Sequence, residues 1–219
     1  MTAMARSCRV GTVVVLALGL SACTTSTDPA TPTDPVVQLG APGEPNRTLS
    51  PEEAAQLEAP THVEADVLFM RNMIYHHQQA IVMTGFVEER TQDRDIRLLA
   101  ERMRISQEDE MELMVKWLQD RVEPLRDGHD GHDADGHPMP GMLTDDQLDR
   151  LEAATGAAFD RLFLEYMIQH HQGAVQMVAE LYAAGGGHES DTDQFARHVE
   201  SDQGVEIARM QGMLAERTS

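Results

Sequence analysis

The chain has 219 residues, a formal net charge of −20 at pH 7 and an isoelectric point near 4.7. This charge argues against nucleic acid as a partner, because phosphate backbones attract surfaces rich in Lys and Arg. An acidic surface permits cation binding, although solubility alone also accounts for the charge.

Residues 1–22 have the pattern of a lipoprotein signal peptide. Arg6 and Arg9 precede an apolar run, 10–20, that is too short to span a bilayer comfortably. The next residues, Leu-Ser-Ala-Cys at 20–23, look like a bacterial lipobox in which Cys23 is lipidated. We therefore expect a protein of the cell envelope, lipid-anchored on the extracytoplasmic face of the membrane. The alternative is an ordinary secretory signal in which Cys23 occurs by chance.

Residues 23–47 are rich in Thr, Pro, Asp and Gly and are predicted to form a disordered tether. Ser50 then begins a helix, with Pro at the first position and Glu53 three residues after the cap. Beyond it, the pattern predicts two helical hairpins, 48–126 and 143–219, that form one domain.

An internal repeat dominates the chain. The stretch 73–83, MIYHHQQAIVM, recurs at 167–177 as MIQHHQGAVQM, an offset of 94 residues (170 − 76). At 100° per residue, His76 and His77 fall on either side of the apolar stripe of a helix running from about residue 62 or 66 to residue 89. Both rings can therefore point into a bundle.

The other two long helices also repeat, with polar residues on their apolar stripes. One runs from about 93 to 121 and carries Gln107 and Glu110; the other carries Gln203 and Glu206. A buried carboxylate requires a proton, a cation or a hydrogen-bonding partner. A capping box at 144–147 opens the third long helix, which Gly156 interrupts. One hairpin cannot bury its own stripe, so the sequence predicts an all-α four-helix bundle.

The linker between the hairpins, residues 127–142, has too much Gly, Pro and Asp for a stable helix and nothing that would fill a core. Its candidate cation ligands are His129, His132, His137, Met139 and Met142. Capture by such a segment would be weak and pH-dependent, because nothing preorganises it. The alternative is a soluble spacer.

The duplicated histidines make metal binding the leading functional hypothesis. The repeated candidate ligands are His76, His77, Asp66, Gln107 and Glu110, with His170, His171, Asp160, Gln203 and Glu206. The alternative is a set of core histidines hydrogen-bonded to Glu and Gln. Methionines on the same stripes are typical core residues. A carboxylate-bridged di-iron oxidase would need Glu-x-x-His pairs where this chain has His-His.

The double-histidine motifs at 73–80 and 167–174, together with GMLTD at 141–145, resemble the bacterial secreted family called domain of unknown function 305. The resemblance covers roughly residues 66–214. It implies a ferritin-like helical bundle exported from the cytoplasm, and some relatives are periplasmic copper-binding proteins linked to copper tolerance. It points to the four histidines as ligands, with thioethers from Met73, Met83, Met167 and Met177.

The sequence thus predicts a membrane-tethered, extracytoplasmic metal-binding lipoprotein that sequesters or delivers an ion. Copper is the favoured ion, and iron or zinc are the alternatives. The rival functions are a metal-dependent oxidase of the ferritin-like type and a structural or partner-binding lipoprotein that holds no metal.

Overall fold

The computed structural model describes residues 36–38, 45–55, 61–125 and 139–218. The chain divides into two compact units, Met1–Glu58 and Ala59–Ser219. The predicted signal peptide, the lipidation site Cys23 and the linker histidines His129, His132 and His137 lie outside the described residues.

Within residues 36–38 and 45–55, the first unit forms two short strands and one short helix. Strand β1 (Val36–Gln38) pairs antiparallel with β2 (Arg47–Leu49), and α1 (Pro51–Ala55) follows. The strands lie partly within the predicted tether, where β-branched and apolar residues favour extended pairing. The predicted cap is present: Ser50 N–H donates to the Glu53 carboxylate, and Glu53 N–H donates to Ser50 Oγ.

The second unit is built from helices. They are α2 (Glu64–Gly85), α3 (Val87–Arg90), α4 (Arg94–Asp120), α5 (Asp145–Ala153), α6 (Gly156–Ala183) and α7 (Ser190–Thr218). None of the helices within the described ranges carries an apolar stretch long enough to cross a membrane.

The long helices α2, α4, α6 and α7 form the predicted four-helix bundle. Helix α2 packs on α4, α6 packs on α7, and the two hairpins meet through α2 and α6. Two apolar clusters fill the interior, one around Phe69, Met73 and Trp117 and the other around Met83, Phe159 and Phe163. The all-α prediction is confirmed.

The helix boundaries differ from the prediction at one point and agree with it elsewhere. The first long helix does not run unbroken to residue 89, because it ends at Gly85 and α3 restarts after Phe86. Asp93 caps α4 by accepting hydrogen bonds from the N–H groups of Asp95 and Ile96. Thr144 and Gln147 form the predicted capping box of α5, and α6 begins at Gly156 with φ +57°.

The end of the linker packs on the bundle, which corrects the prediction that nothing in it could fill a core. We call residues 139–143 the strap. Met139 is buried in the first apolar cluster. The side-chain amide of Gln79 on α2 makes two hydrogen bonds with the strap. Its oxygen accepts from Leu143 N–H, and its nitrogen donates to Leu143 C=O. The strap therefore crosses the bundle at the level of the repeated motifs.

Glycine at position 173, where the first repeat has Gln79, lets the strap cross α6. A Cβ built on Gly173 would lie 2.1 Å from the Pro140 carbonyl oxygen and 2.5 Å from Gly141 Cα. Gly141 has φ +76°, and a Cβ there would lie 2.6 Å from Gly173 Cα. The two repeats therefore differ at this position: the strap backbone lies directly on α6 at Gly173, whereas the Gln79 side chain on α2 bonds the strap.

We expect Gly173→Ala to destabilise the chain by about 1–3 kcal/mol, because its methyl group would overlap strap backbone that has no flexible side chain to move. Gly204→Ala is the matched control, since Gly204 lies exposed in α7 with nothing within 4 Å of its Cβ position. That change should stabilise the helix by about 0.5–1 kcal/mol. Urea unfolding of both variants measures the difference, and equal midpoints would contradict the close approach.

Candidate metal centre

The four repeated histidines meet at the centre of the bundle. His76 and His77 on α2, and His170 and His171 on α6, all have exposed fractions of 0%. The rings of His76 and His170 lie with centroids 3.7 Å apart and planes tilted by 35°. The helical spacing that placed both rings of each pair near the inward stripe therefore brings the two repeats into direct contact.

Three of the rings have one nitrogen fixed by an oxygen acceptor. His77 Nε2 lies 2.6 Å from Glu110 Oε2, and His171 Nε2 lies 2.7 Å from Glu206 Oε2. His76 Nε2 lies 3.1 Å from the Pro140 carbonyl oxygen of the strap. A carbonyl only accepts hydrogen bonds, so Nε2 of neutral His76 carries the proton and Nδ1 keeps its lone pair. An ionised carboxylate also only accepts hydrogen bonds, so Glu110 and Glu206 place a proton on Nε2 of His77 and His171 in the same way.

The remaining ring nitrogens have no hydrogen-bonding partner although they are buried. They are Nδ1 of His76, Nδ1 of His77, Nδ1 and Nε2 of His170, and Nδ1 of His171. A buried polar atom without a partner is unfavourable by roughly 1–3 kcal/mol. Five such atoms at one place are more than packing alone explains. One of the two His170 nitrogens must carry the proton of the neutral ring, and the unprotonated nitrogens are the atoms through which neutral imidazole binds a metal ion.

His76 and His170 are neutral at physiological pH. Burial, followed by electrostatic repulsion from His77, lowers the pKa of His76 from 6.5 to about 3. Burial, followed by repulsion from His76, holds the pKa of His170 well below 6.5. Neutral rings keep the lone pairs that a cation requires, so the centre is ready to bind without first releasing protons.

Two glutamates and two glutamines extend the polar centre onto α4 and α7. Glu110 and Gln107 are buried, as is Gln203, while 23% of the Glu206 side chain is exposed. Both amide atoms of Gln107 and the amide oxygen of Gln203 have no hydrogen-bonding partner. The carboxylates orient His77 and His171, the arrangement by which outer groups position metal-binding imidazoles in proteins.

Asp66 and Asp160, which the sequence grouped with the histidines, lie elsewhere in the bundle. Each precedes the first histidine of its helix by ten residues, a rise of about 15 Å, so neither can share an ion with that ring. The Asp66 carboxylate accepts hydrogen bonds from Val63 N–H at 2.8 Å and Gly187 N–H at 2.7 Å. It therefore joins the start of α2 to the glycine turn before α7.

The four candidate methionine ligands are buried in the two apolar clusters. Met73 and Met177 belong to the first, and Met83 and Met167 to the second. This is the position expected of core methionines. Met139, a candidate from the linker, also packs in the first cluster.

The sequence analysis missed two members of the centre and its surroundings. The Pro140 carbonyl that receives His76 has no sequence signal, because any residue offers a carbonyl. His198 lies outside the repeated motifs, and its sequence context alone does not single it out. In the part of the chain that the structure describes, Glu110, His198 and Asp202 form the one group of three ligand side chains whose atoms lie within 4.8 Å of one another. The spacing of His198 and Asp202, four residues apart on α7, is a signal that could have found them.

The geometry of each pair fits a bound ion. The ring centroids are 6.5 Å apart in the first pair and 6.2 Å apart in the second. That separation leaves room for a cation about 2 Å from one nitrogen of each ring. A cation held in this way would have one nitrogen donor from each ring of the pair.

Two solved structures of similar proteins share the fold. One is a DUF305 protein from Streptomyces coelicolor, described as secreted, with 31% sequence identity and a TM-score of 0.63; the match covers 71% of this chain and 93% of that one. The other is a DUF305 fragment from Deinococcus radiodurans, with 29% identity and a TM-score of 0.63, covering 72% and 99%. A comparison with curated protein sequences finds no match.

A third similar protein, CopM, has been solved with metals bound. Its Cu(II)-bound form is 28% identical to this chain, with a TM-score of 0.58, and the match covers 69% of this chain and 96% of that one. Its Cu(I)-bound and Ag-bound forms match with TM-scores of 0.54.

The family comparison agrees with the resemblance carried by the double-histidine motifs. The model of the domain of unknown function DUF305 matches residues 42–214, which include the first hairpin, the strap and all but the last five residues of the second hairpin. That range is most of the chain, and the chain therefore belongs to the DUF305 family.

Proposed function

We propose that this protein binds copper ions at the bundle centre and sequesters or delivers them outside the cytoplasm. The observation that carries the proposal is the set of five buried imidazole nitrogens without partners. Hydrogen bonds to Glu110, Glu206 and the strap direct the protonated nitrogens outward. The lone pairs of the unpartnered nitrogens would hold the ion, and the outer acceptors would keep the rings in place.

The donor set favours a soft monovalent ion. Structural zinc almost always takes four ligands, whereas the four central histidines do not form a group of three or more within the 4.8 Å that a shared ion requires. Cu(I) and Ag(I) accept two donors, and imidazole nitrogen suits copper. CopM, which this chain resembles, has been solved with Cu(I), Cu(II) and Ag bound.

Storage or transfer fits the centre better than turnover. The rings are enclosed by four helices and the strap, and their fixed hydrogen bonds resemble a holding site. The proposed role includes loose capture by His129, His132 and His137, followed by tighter binding among the bundle histidines. Anchoring through Cys23 would hold the protein at the extracytoplasmic face of the membrane, in keeping with the secreted relative.

Removing one ring from each pair tests the two sites. We expect the parent chain to bind two Ag⁺ ions tightly, and His77→Gln or His171→Gln to lose about one of them, because each pair then keeps a single donor. Elemental analysis after dialysis counts the ions. Bound Ag⁺ should also raise the melting temperature, since an ion at 100 times its Kd stabilises the fold by about 2.7 kcal/mol.

His188→Ala is the matched control, because it removes an exposed histidine of the same chain. A variant with all four central histidines changed to Ala extends the test, and circular dichroism checks that it folds. If the single variants keep both ions and the full melting shift, the histidine pairs do not hold the metal.

Changing His129, His132 and His137 to Asn tests the linker separately. We expect the variant to lose weakly bound ions and to keep those that resist a competing chelator, because the linker has no preorganised geometry. Titration with Cu²⁺ with and without the chelator separates the two classes. An unchanged weak class would exclude the linker from capture.

Acid should weaken the fold through the central rings. The unfolded chain binds protons at His76 and His170 below about pH 6.5, whereas the folded chain resists them, His76 until about pH 3. Stability is therefore complete above about pH 6.5 and falls as pH decreases, by about 1.4 kcal/mol per pH unit for each of the two rings. Urea unfolding between about pH 7 and about pH 5 measures the slope.

His76→Asn should reduce the dependence of unfolding free energy on pH by about 1.4 kcal/mol per pH unit, the contribution of one ring. This holds even if the substitution also changes the urea midpoint. The control, His188→Ala, should leave the contribution of the central rings intact. A stability of the parent chain that does not change over this range would show that the rings titrate freely.

A further inference from the structure

A second group of ligands lies on the outer side of the same bundle, where α4 faces α7. His198 Nε2 lies 3.3 Å from Asp202 Oδ2 and 3.8 Å from Glu110 Oε1. The side chains of His198 and Asp202 are about half exposed, at 53% and 49%. His198 also lines a groove of about 450 Å³ together with Met70 and Met114. Solvent therefore reaches this group, in contrast to the central rings.

Glu110 belongs to both groups. Only 4% of its side chain is exposed, and its Oε2 is 2.6 Å from Nε2 of the buried His77. Its other oxygen, Oε1, faces His198 beyond hydrogen-bond distance. A buried carboxylate oxygen that points at a ring without bonding it is well placed for an ion between the two. One carboxylate thus spans from the surface to the bundle centre.

The repeat provides an internal comparison. The offset between Glu110 and Glu206 is 96 residues (206 − 110), so the positions related to His198 and Asp202 are Arg102 and Ser106. Arginine remains protonated and cannot bind a cation. Glu110 therefore has His198 and Asp202 beside it, whereas the repeat places no such ligands at the positions related to them around Glu206. The internal repeat alone does not account for the outer group.

We propose that Glu110, His198 and Asp202 form a surface site for a divalent cation such as Zn²⁺ or Cu²⁺, coupled to His77 through the shared Glu110 carboxylate. One imidazole and two carboxylates are the nitrogen and oxygen donors that such ions accept. The site would collect ions at the surface beside the centre. Cation binding at the surface site does not depend on the proposed copper function. A role of this site in passing ions to the bundle centre does rest on that function.

The competing explanation is an ion pair, in which a protonated His198 is held between two carboxylates. His198→Lys separates the two explanations, because lysine keeps the positive charge but is a poor ligand while protonated. His198→Ala and Asp202→Asn remove ligands directly, and His188→Ala is the control for loss of an exposed histidine. In all variants His129, His132 and His137 are changed to Asn, so that the linker histidines bind none of the added Zn²⁺.

The experiment titrates each variant of the full chain with Zn²⁺, by calorimetry and by NMR of the histidine side chains. We expect His198 signals to shift and saturate near one equivalent, and His77 signals to shift with them through Glu110. His198→Lys, His198→Ala and Asp202→Asn should each lose that equivalent, and His188→Ala should keep it. Zn²⁺ binding that persists in His198→Lys, or that leaves the His198 signals unmoved, overturns the site.

A His77 signal that stays constant while His198 saturates would overturn the coupling. A parallel titration with Ag⁺ separates this inference from the proposed function. His198→Ala should keep the Ag⁺ ions of the bundle centre, whereas His77→Gln should lose one. A chain that binds Zn²⁺ at His198 but no Ag⁺ at the centre would refute the copper function and leave the surface site in place.

Discussion

Complete burial of four imidazole rings is the constraint on which the centre of this protein depends. Desolvation keeps His76 and His170 uncharged, so the rings can lie against each other at 3.7 Å instead of repelling. The same burial deprives their free nitrogens of water. An interior with this many polar atoms that lack a hydrogen-bonding partner is unfavourable on its own. The fold therefore maintains a place where a cation would relieve the unfavourable burial.

The surrounding structure fixes the orientation of the rings. Glu110 and Glu206 come from α4 and α7, while the strap supplies a main-chain carbonyl from between the hairpins. Each acceptor takes an Nε2 proton and so leaves the opposite nitrogen available. Gly173 and Gly141 allow the strap to approach closely enough to take part. The orientation of the histidine rings is thus set by elements that are far apart along the chain.

The two halves of the bundle are related by a repeat but have diverged in use. Position 79 is glutamine and clamps the strap, whereas position 173 is glycine and lies beneath it. Glu110 is buried beside His198 and Asp202, while the positions related to those two residues are Arg102 and Ser106. Duplication accounts for the paired histidines, and the departures from it give the centre one side closed by the strap and another that carries surface ligands.

Local sequence determined the helices, their caps and the inward direction of the histidines, because a period of 3.6 residues and a capping box are properties of short segments. It also predicted His77 with Glu110 and His171 with Glu206 as members of one repeated set. Only the tertiary structure decided that Asp66 holds a glycine turn, that Met139 enters the core and that Pro140 faces His76. The Pro140 and Asp66 contacts join residues 64 and 121 positions apart, and the first depends on a main-chain carbonyl that no residue type reveals. The closeness of His198 to Glu110 likewise follows from how α7 packs in the bundle.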